Sequence, residues 1–226
     1  MSGKSSGAYY PDRLSAGRLR RCYEVAPPRV TRYLQAEIDF VLGHVRPSHR
    51  VLELGCGYGR AMAPVEGRAA GVFGVDTSVT SLSMAAAALG ECRFAAMDAG
   101  NLGFMDRSFD VVYCVQNGIS AFGIDRNELI GESIRVAKRG GRVLFSSYSD
   151  RFWRERLEWF RIQAAEGLIG EVDEGATGNG VIVCKDGFRA ETVTKDQFET
   201  LASAFGFPYQ VTEVDGSSLF CVISPA

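Results

Sequence analysis

Short apolar runs alternate with stretches of helical spacing along most of this chain. The runs are RVLEL near 50–54, GVFGVD at 71–76, CRFAAMD at 92–98, FDVVYCV at 109–115 and GRVLFSSY at 141–148. Between them the spacing predicts helices near 59–66, 79–89 and 126–138. Runs that are apolar at nearly every position suit strands buried on both faces, and strands punctuated by helices suit a parallel sheet. Two helices precede the first strand. RLSAGRLRRCYEV keeps helical spacing as far as Pro27 and Pro28, and a second helix restarts there with Val30, Tyr33, Leu34, Ile38, Val41 and Leu42 on one face.

The pattern changes after residue 148. DRFWRERLEWFRIQAAEG reads as one amphipathic helix with Phe152, Leu157, Phe160 and Ile162 among its apolar positions, followed by the glycine-rich acidic loop GEVDEGATGNG. VIVCK and FRAETVT then form a hairpin joined across Asp186 and Gly187. Thr194 caps the next helix, with Gln197 three residues on as a capping box and Gly206 ending it. YQVTEV and SLFCVIS close the chain as antiparallel strands. The expected organisation is one domain over 1–226, with a tail and helices at 1–49, a core at 50–149, an inserted lid or wall at 150–187 and C-terminal strands at 188–226.

Composition narrows the picture. A net charge of -2, from 25 basic and 27 acidic residues, leaves no electrostatic footprint for nucleic acid, and the basic cluster at Arg18–Arg21 reads as a solvated helix face. The six cysteines show no metal-binding spacing and several lie in apolar runs, so they read as reduced core residues of a cytoplasmic protein without a metal site. No apolar run approaches a membrane span, and the polar start MSGKSSG is given no structure.

The candidate chemistry lies in VLELGCGYGR, residues 51–60, where Glu53 precedes glycines at 55, 57 and 59. Glycine admits a ligand close to the backbone, and strand-to-helix turns are where α/β sheets bind ligands. The spacing is not the G-x-G-x-x-G of a pyrophosphate site, and a carboxylate two residues before the first glycine suits a cation better than a phosphate. Asp76 ends the second run, where it can accept hydrogen bonds from both hydroxyls of a ribose, and Asp98 ends the third, where it can take an adenine amine. Three acids at successive strand ends describe a site for a cationic adenosine compound.

These features resemble the class I S-adenosylmethionine-dependent methyltransferases. The likeness runs over about 50–148: VLELGCGYG, Asp76, Asp98 with Ala99, FDVVYCVQN and ESIRVAKRGGRVLF follow the family's motifs in order, with Arg139 where a proline is usual. The resemblance implies a Rossmann-like three-layer α/β sandwich around a seven-stranded, mostly parallel sheet with an antiparallel C-terminal hairpin. It implies S-adenosylmethionine as cofactor and S-adenosylhomocysteine as product. Gly55, Gly57 and Gly59 would approach the methionine part and Glu53 would help hold its polar end, with Cys56 also among the cofactor-binding residues. Gln116 would contact the methionine moiety. Asp76 and Thr77 would meet the ribose, and Asp98 with Ala99 the adenine. Substrate-facing candidates are Tyr9, Tyr10, Asn117, Ser120, Ser147, Tyr148 and Trp153, with a small molecule as acceptor. His44 and His49 lie on the far side of the first strand and are poor candidates for a base. The alternatives are an NAD(P)-dependent oxidoreductase, which shares the layered sheet and Asp76, and a non-catalytic protein that binds the same cofactor.

Overall fold

A computed structural model describes Tyr9 and residues 13–226; the polar start and Tyr10 lie outside the described residues. The order is α1 (Ala16–Glu24), α2 (Pro28–Leu42), β1 (Arg50–Leu54), β2 (Gly71–Asp76), α3 (Val79–Ala88), β3 (Cys92–Ala96), β4 (Phe109–Cys114), α4 (Arg126–Val136) and β5 (Ala137–Tyr148). There follow α5 (Trp153–Ala165), β6 (Ile182–Val183), β7 (Arg189–Ala190), α6 (Lys195–Ser203), β8 (Tyr209–Val214) and β9 (Ser218–Ile223). The main sheet has seven strands in the order β3-β2-β1-β4-β5-β9-β8. The first five are parallel, whereas β9 runs antiparallel to β5 and β8 antiparallel to β9. This is the Rossmann-like three-layer architecture expected from the alternating runs.

Side-chain alternation divides the sheet's two faces. Leu52, Leu54 and Val112 point into one core, beneath α4 and α6, while Val51, Val111 and Tyr113 point into the other, beneath α2 and α3. A third cluster belongs to neither face. Tyr33, Phe152, Trp159, Phe160, Ile182 and Phe188 join α2, α5 and the β6–β7 hairpin in a separate apolar body around Tyr148, at the end of β5.

Two local expectations need correction. Residues 57–70 form a chain of turns instead of a helix near 59–66. Helical bonds do occur from Ala63 N–H to Gly59 O and from Glu66 N–H to Met62 O, at 3.0 Å each. Pro64 stands between them with no N–H to continue the ladder, and it biases Ala63 away from helical geometry. The hairpin turn is also displaced by one residue. Gly187 N–H donates to Cys184 O at 3.1 Å and Gly187 has φ +95°, so Lys185 and Asp186 are the turn's central pair and Gly187 is a left-handed bulge residue. The Thr194–Gln197 capping box is present as expected.

Candidate functional site

The loop after β1 is bent by glycines. Gly55, Gly57 and Gly59 have φ of +67°, +53° and +87°, a region that side chains beyond glycine adopt at a cost. The loop is pulled over the end of β2 by Asp76, whose carboxylate accepts from Gly57 N–H at 2.9 Å and from Ser78 N–H at 2.8 Å. Each oxygen retains acceptor capacity. Gly59 turns away from the cavity: a Cβ there would stand 2.7 Å from Leu89 Cδ1 and 3.3 Å from Ala85 Cβ, so this glycine admits α3 and not a ligand.

A cavity of about 420 Å³ opens over the C-terminal ends of β1, β2 and β4. Glu53, Gly55, Cys56, Gly57, Asp76, Thr77, Asp98, Ala99 and Gln116 all line it, which brings together every expected cofactor-side residue except Gly59. Asp98 stands exposed at the rim and accepts from Gly100 N–H at 2.8 Å. Glu53 is buried, and burial is the main reason its carboxyl is pushed up to about 8, against the hydrogen bond from Tyr113 and the charge of Arg60. Strand register explains the Tyr113 contact: Glu53 and Tyr113 are partners across β1 and β4, and the Tyr113 hydroxyl donates to Glu53 Oε2 at 3.0 Å.

Gln116 sits in a left-handed conformation, φ +59°, just past β4, with its N–H bonded to Ser146 Oγ at 2.8 Å. Its side-chain oxygen accepts from the Tyr23 hydroxyl at 2.7 Å and from Arg60 Nη2 at 2.9 Å, while the Arg60 guanidinium lies 4.7 Å from the Tyr23 ring centroid. Sequence reasoning missed Arg60 and Tyr23. Both lie within stretches it read for other purposes, the glycine loop and an N-terminal helix.

The opposite wall comes from the third apolar cluster. Leu19, Cys22 and Tyr23 of α1 face Trp159, Phe160 and Gln163 of α5, with Phe188 of the hairpin and Tyr148 of β5 completing it. Trp159 Nε1 donates to Cys22 O at 2.9 Å, and Arg18 Nε donates to Leu168 O at 2.8 Å, so one arginine of the expected solvated face clasps α1 to the end of α5. Buried Arg156 donates to Gly180 O and Ala190 O at 3.0 Å each and lies 4.2 Å from the Tyr148 ring centroid, tying helix, loop and hairpin to the sheet.

Of the expected substrate-facing residues in the described region, only Tyr148 lines this cavity. Asn117 and Ser147 are buried and hold the framework: Ser147 Oγ donates to Asn117 Oδ1 and accepts from Val193 N–H, and Asn117 Nδ2 donates to Glu191 O. Ser120 lies at a separate cleft beside Ile124 and Arg126. Trp153 packs into the third cluster, and Tyr9 stands behind the wall, bonded to Asp186 with its ring on the edge of Phe188. The buried positions of α5 are Arg156, Trp159, Phe160 and Gln163, an i, i+3, i+4, i+7 stripe that an apolar-only count misses because two of its members are polar.

Residues 51–141 match the family described as "Methyltransferase domain". A 2-methyl-6-phytyl-1,4-hydroquinone methyltransferase of Synechocystis sp. is 32% identical over 139 residues, covering 55% of this chain and 42% of the relative. A demethylmenaquinone methyltransferase of Thermotoga maritima is 34% identical over 116 residues, covering 50% and 49%. The chain thus spans about half the length of the curated relatives it matches. Among solved structures, a SAM-dependent methyltransferase of Thermotoga maritima, described as a possible histamine N-methyltransferase, superposes with TM-score 0.67 at 17% identity, covering 98% and 100% of the two chains. Residues 51–141 thus match a methyltransferase domain, and the chain shares the fold of a solved SAM-dependent methyltransferase.

Proposed function

We propose that this chain binds S-adenosylmethionine and transfers its methyl group to a small-molecule acceptor. The observation that carries the reading is the convergence of Glu53, Asp76 and Asp98, from three neighbouring strands, on one cavity floored by Gly55 and Gly57. The donor set fits the cofactor: acceptors at the strand ends suit ribose hydroxyls, an adenine amine and a cation. Asp76, with Thr77 beside it, takes the ribose, and Asp98 with Ala99 frames the adenine. Glu53 and the amide nitrogen of Gln116 hold the methionine end. Gln116 is oriented for this because Tyr23 and Arg60 occupy its oxygen.

When bound, the cofactor supplies an electrophilic methyl carbon attached to a good leaving group. This chain then contributes mainly placement and exclusion of water, and proximity can supply about 7 to 11 kcal/mol of such a barrier. The wall of α1, α5 and the β6–β7 hairpin faces the cofactor side across the cavity and positions the acceptor, an extension of the expected 150–187 wall. The Synechocystis and Thermotoga relatives, named for hydroquinone and demethylmenaquinone substrates, support a small-molecule acceptor. Among the described residues no helix is long and apolar enough to cross a membrane, all six cysteines are free, and the net charge is -2. These features support a cytoplasmic setting and a partner other than nucleic acid. Thermal-shift titration tests the reading: S-adenosylhomocysteine should raise Tm and NADH should not, and equal stabilisation by NADH overturns it.

A further inference from the structure

The acceptor side of the cavity has a chemical character of its own. Every lining side chain contributed by α1, α5 and the hairpin is uncharged: Leu19, Cys22, Tyr23, Trp159, Phe160, Gln163 and Phe188. The acids lie on the strand-end side, and Arg60, the lining cation, is turned to Gln116 and the Tyr23 face. The rings form a connected surface, with Tyr23 and Trp159 centroids 6.1 Å apart, Trp159 and Phe160 5.8 Å, and Phe160 and Phe188 5.7 Å. Offset and tilted aromatic walls of this kind favour a flat apolar guest with a π face.

Within this surface stands Gln163. It is 97% buried, since only 3% of its surface is exposed, and its side-chain nitrogen has no hydrogen-bond partner. A buried amide donor left unpaired is costly, and a ligand oxygen that reached it would remove that cost. The i, i+3, i+4, i+7 phase of α5 puts it on the same stripe as Trp159 and Phe160, so the donor and the aromatic surface are presented by one rigid helix.

We infer that Gln163 is a specificity residue that donates a hydrogen bond to a ring oxygen of an uncharged, planar aromatic acceptor lying against the Tyr23–Trp159–Phe188 wall. This rests on the proposed function, because it names the acceptor class of that same site. Removing the donor removes the preference for an oxygenated ring over the bare hydrocarbon. It leaves the cofactor side alone, since none of the residues assigned to the cofactor bonds to the Gln163 side chain. A carboxylate-bearing ring is disfavoured, because α1, α5 and the hairpin contribute no cation to the cavity lining and Arg60 is already engaged by Gln116 and the Tyr23 ring.

The test is equilibrium dialysis of 2-naphthol, naphthalene and 2-naphthoate against the full chain saturated with S-adenosylhomocysteine. Wild type should bind 2-naphthol about fivefold more tightly than naphthalene, the size of one neutral hydrogen bond, and bind 2-naphthoate most weakly. Gln163→Leu should reduce the naphthol-to-naphthalene ratio to near one with affinity for S-adenosylhomocysteine unchanged. Comparing ratios cancels the probes' different transfer energies. Gln163→Met, closer in shape, gives the same readout should the leucine variant not fold. A ratio unchanged in the folded variant, tightest binding of 2-naphthoate, or no naphthyl binding by cofactor-saturated wild type overturns the inference. Failure of wild type to bind S-adenosylhomocysteine in the first step instead overturns the proposed function.

Discussion

The two sides of the cavity are built on opposite plans. The cofactor side is assembled from strand ends whose positions are set by a hydrogen-bonded ladder, and its carboxylates come within a residue or two of where each strand stops: Glu53 in β1, Asp76 at the end of β2 and Asp98 just after β3. The acceptor side has only the two-residue ladder of β6 and β7. It is two helices and a hairpin of two-residue strands held by ring contacts, one indole bond to a carbonyl and a buried arginine spanning loop and hairpin. A sheet edge can hold fixed charges because backbone bonding is satisfied independently of them, whereas the wall's shape is its side-chain packing.

The comparison breaks most visibly at Trp159. Trp159→Ala should destabilise the wall by about 3–5 kcal/mol. Hydrogen exchange should accelerate in α1, α5 and the hairpin while β1 and β4 stay protected. Phe109→Ala, in the sheet core, should cost a similar amount but accelerate exchange throughout. Uniform acceleration in both variants would mean the wall is not a separate cooperative body.

Asp76→Ala comes next. It loses its bonds from two backbone donors and, on the proposed placement of the cofactor, those from the ribose, and charge-assisted bonds are worth about 1.5–3 kcal/mol each. Affinity for S-adenosylhomocysteine, measured by calorimetry, should fall about thirtyfold or more, with a smaller loss for a 2′-deoxyribose analogue.

Glu53 gives a pH signature on the cofactor side alone. Its folded pKa of about 8 lies above the ordinary 4.5, so its contribution to stability is fully present below about 4.5 and is lost as pH rises through about 8. A cation bound beside it favours the carboxylate, so S-adenosylmethionine should bind with proton release. Affinity should rise roughly tenfold between about pH 6.5 and 8.5, and Glu53→Gln should flatten that rise in calorimetric titrations. Tyr113, Arg60 and Asp76 also face this carboxyl, and all remain in the variant.

Two glycines sharpen the contrast at smaller scale. Gly59→Ala meets Leu89 at positive φ, and urea unfolding should show a loss of about 1–2 kcal/mol with S-adenosylhomocysteine affinity unchanged. Gly187→Ala strains the hairpin bulge, costs about 1 kcal/mol and should weaken acceptor probes slightly while leaving the cofactor alone.

Legibility followed the same division. The strand β1 fell at 50–54 and β2 at 71–76, as the apolar runs required, and the acids followed because they terminate those runs. The helix expected near 59–66 fails at Pro64, which has no N–H to continue the ladder. Asn117 and Ser147 differ for another reason: polar residues at strand ends look like ligand contacts, but here each meets a backbone group of the segment after β7. On α5 the apolar count favours Leu157 and Ile162 beside Phe160, and of these only Phe160 belongs to the packed stripe of 156, 159, 160 and 163.

The sequence by itself determined the parallel core, the left-handed loop and the three acids, because alternation, glycine and strand termini act over a few residues. Only the tertiary structure decided which faces of α1 and α5 meet, that Arg60 and Tyr23 orient Gln116, and that Gln163 lines the cavity. Those depend on contacts between segments far apart in the chain, 56 residues for Arg60 on Gln116, 93 for Tyr23 on Gln116 and 137 for Trp159 on Cys22, where many side-chain phases are locally equivalent and packing selects one.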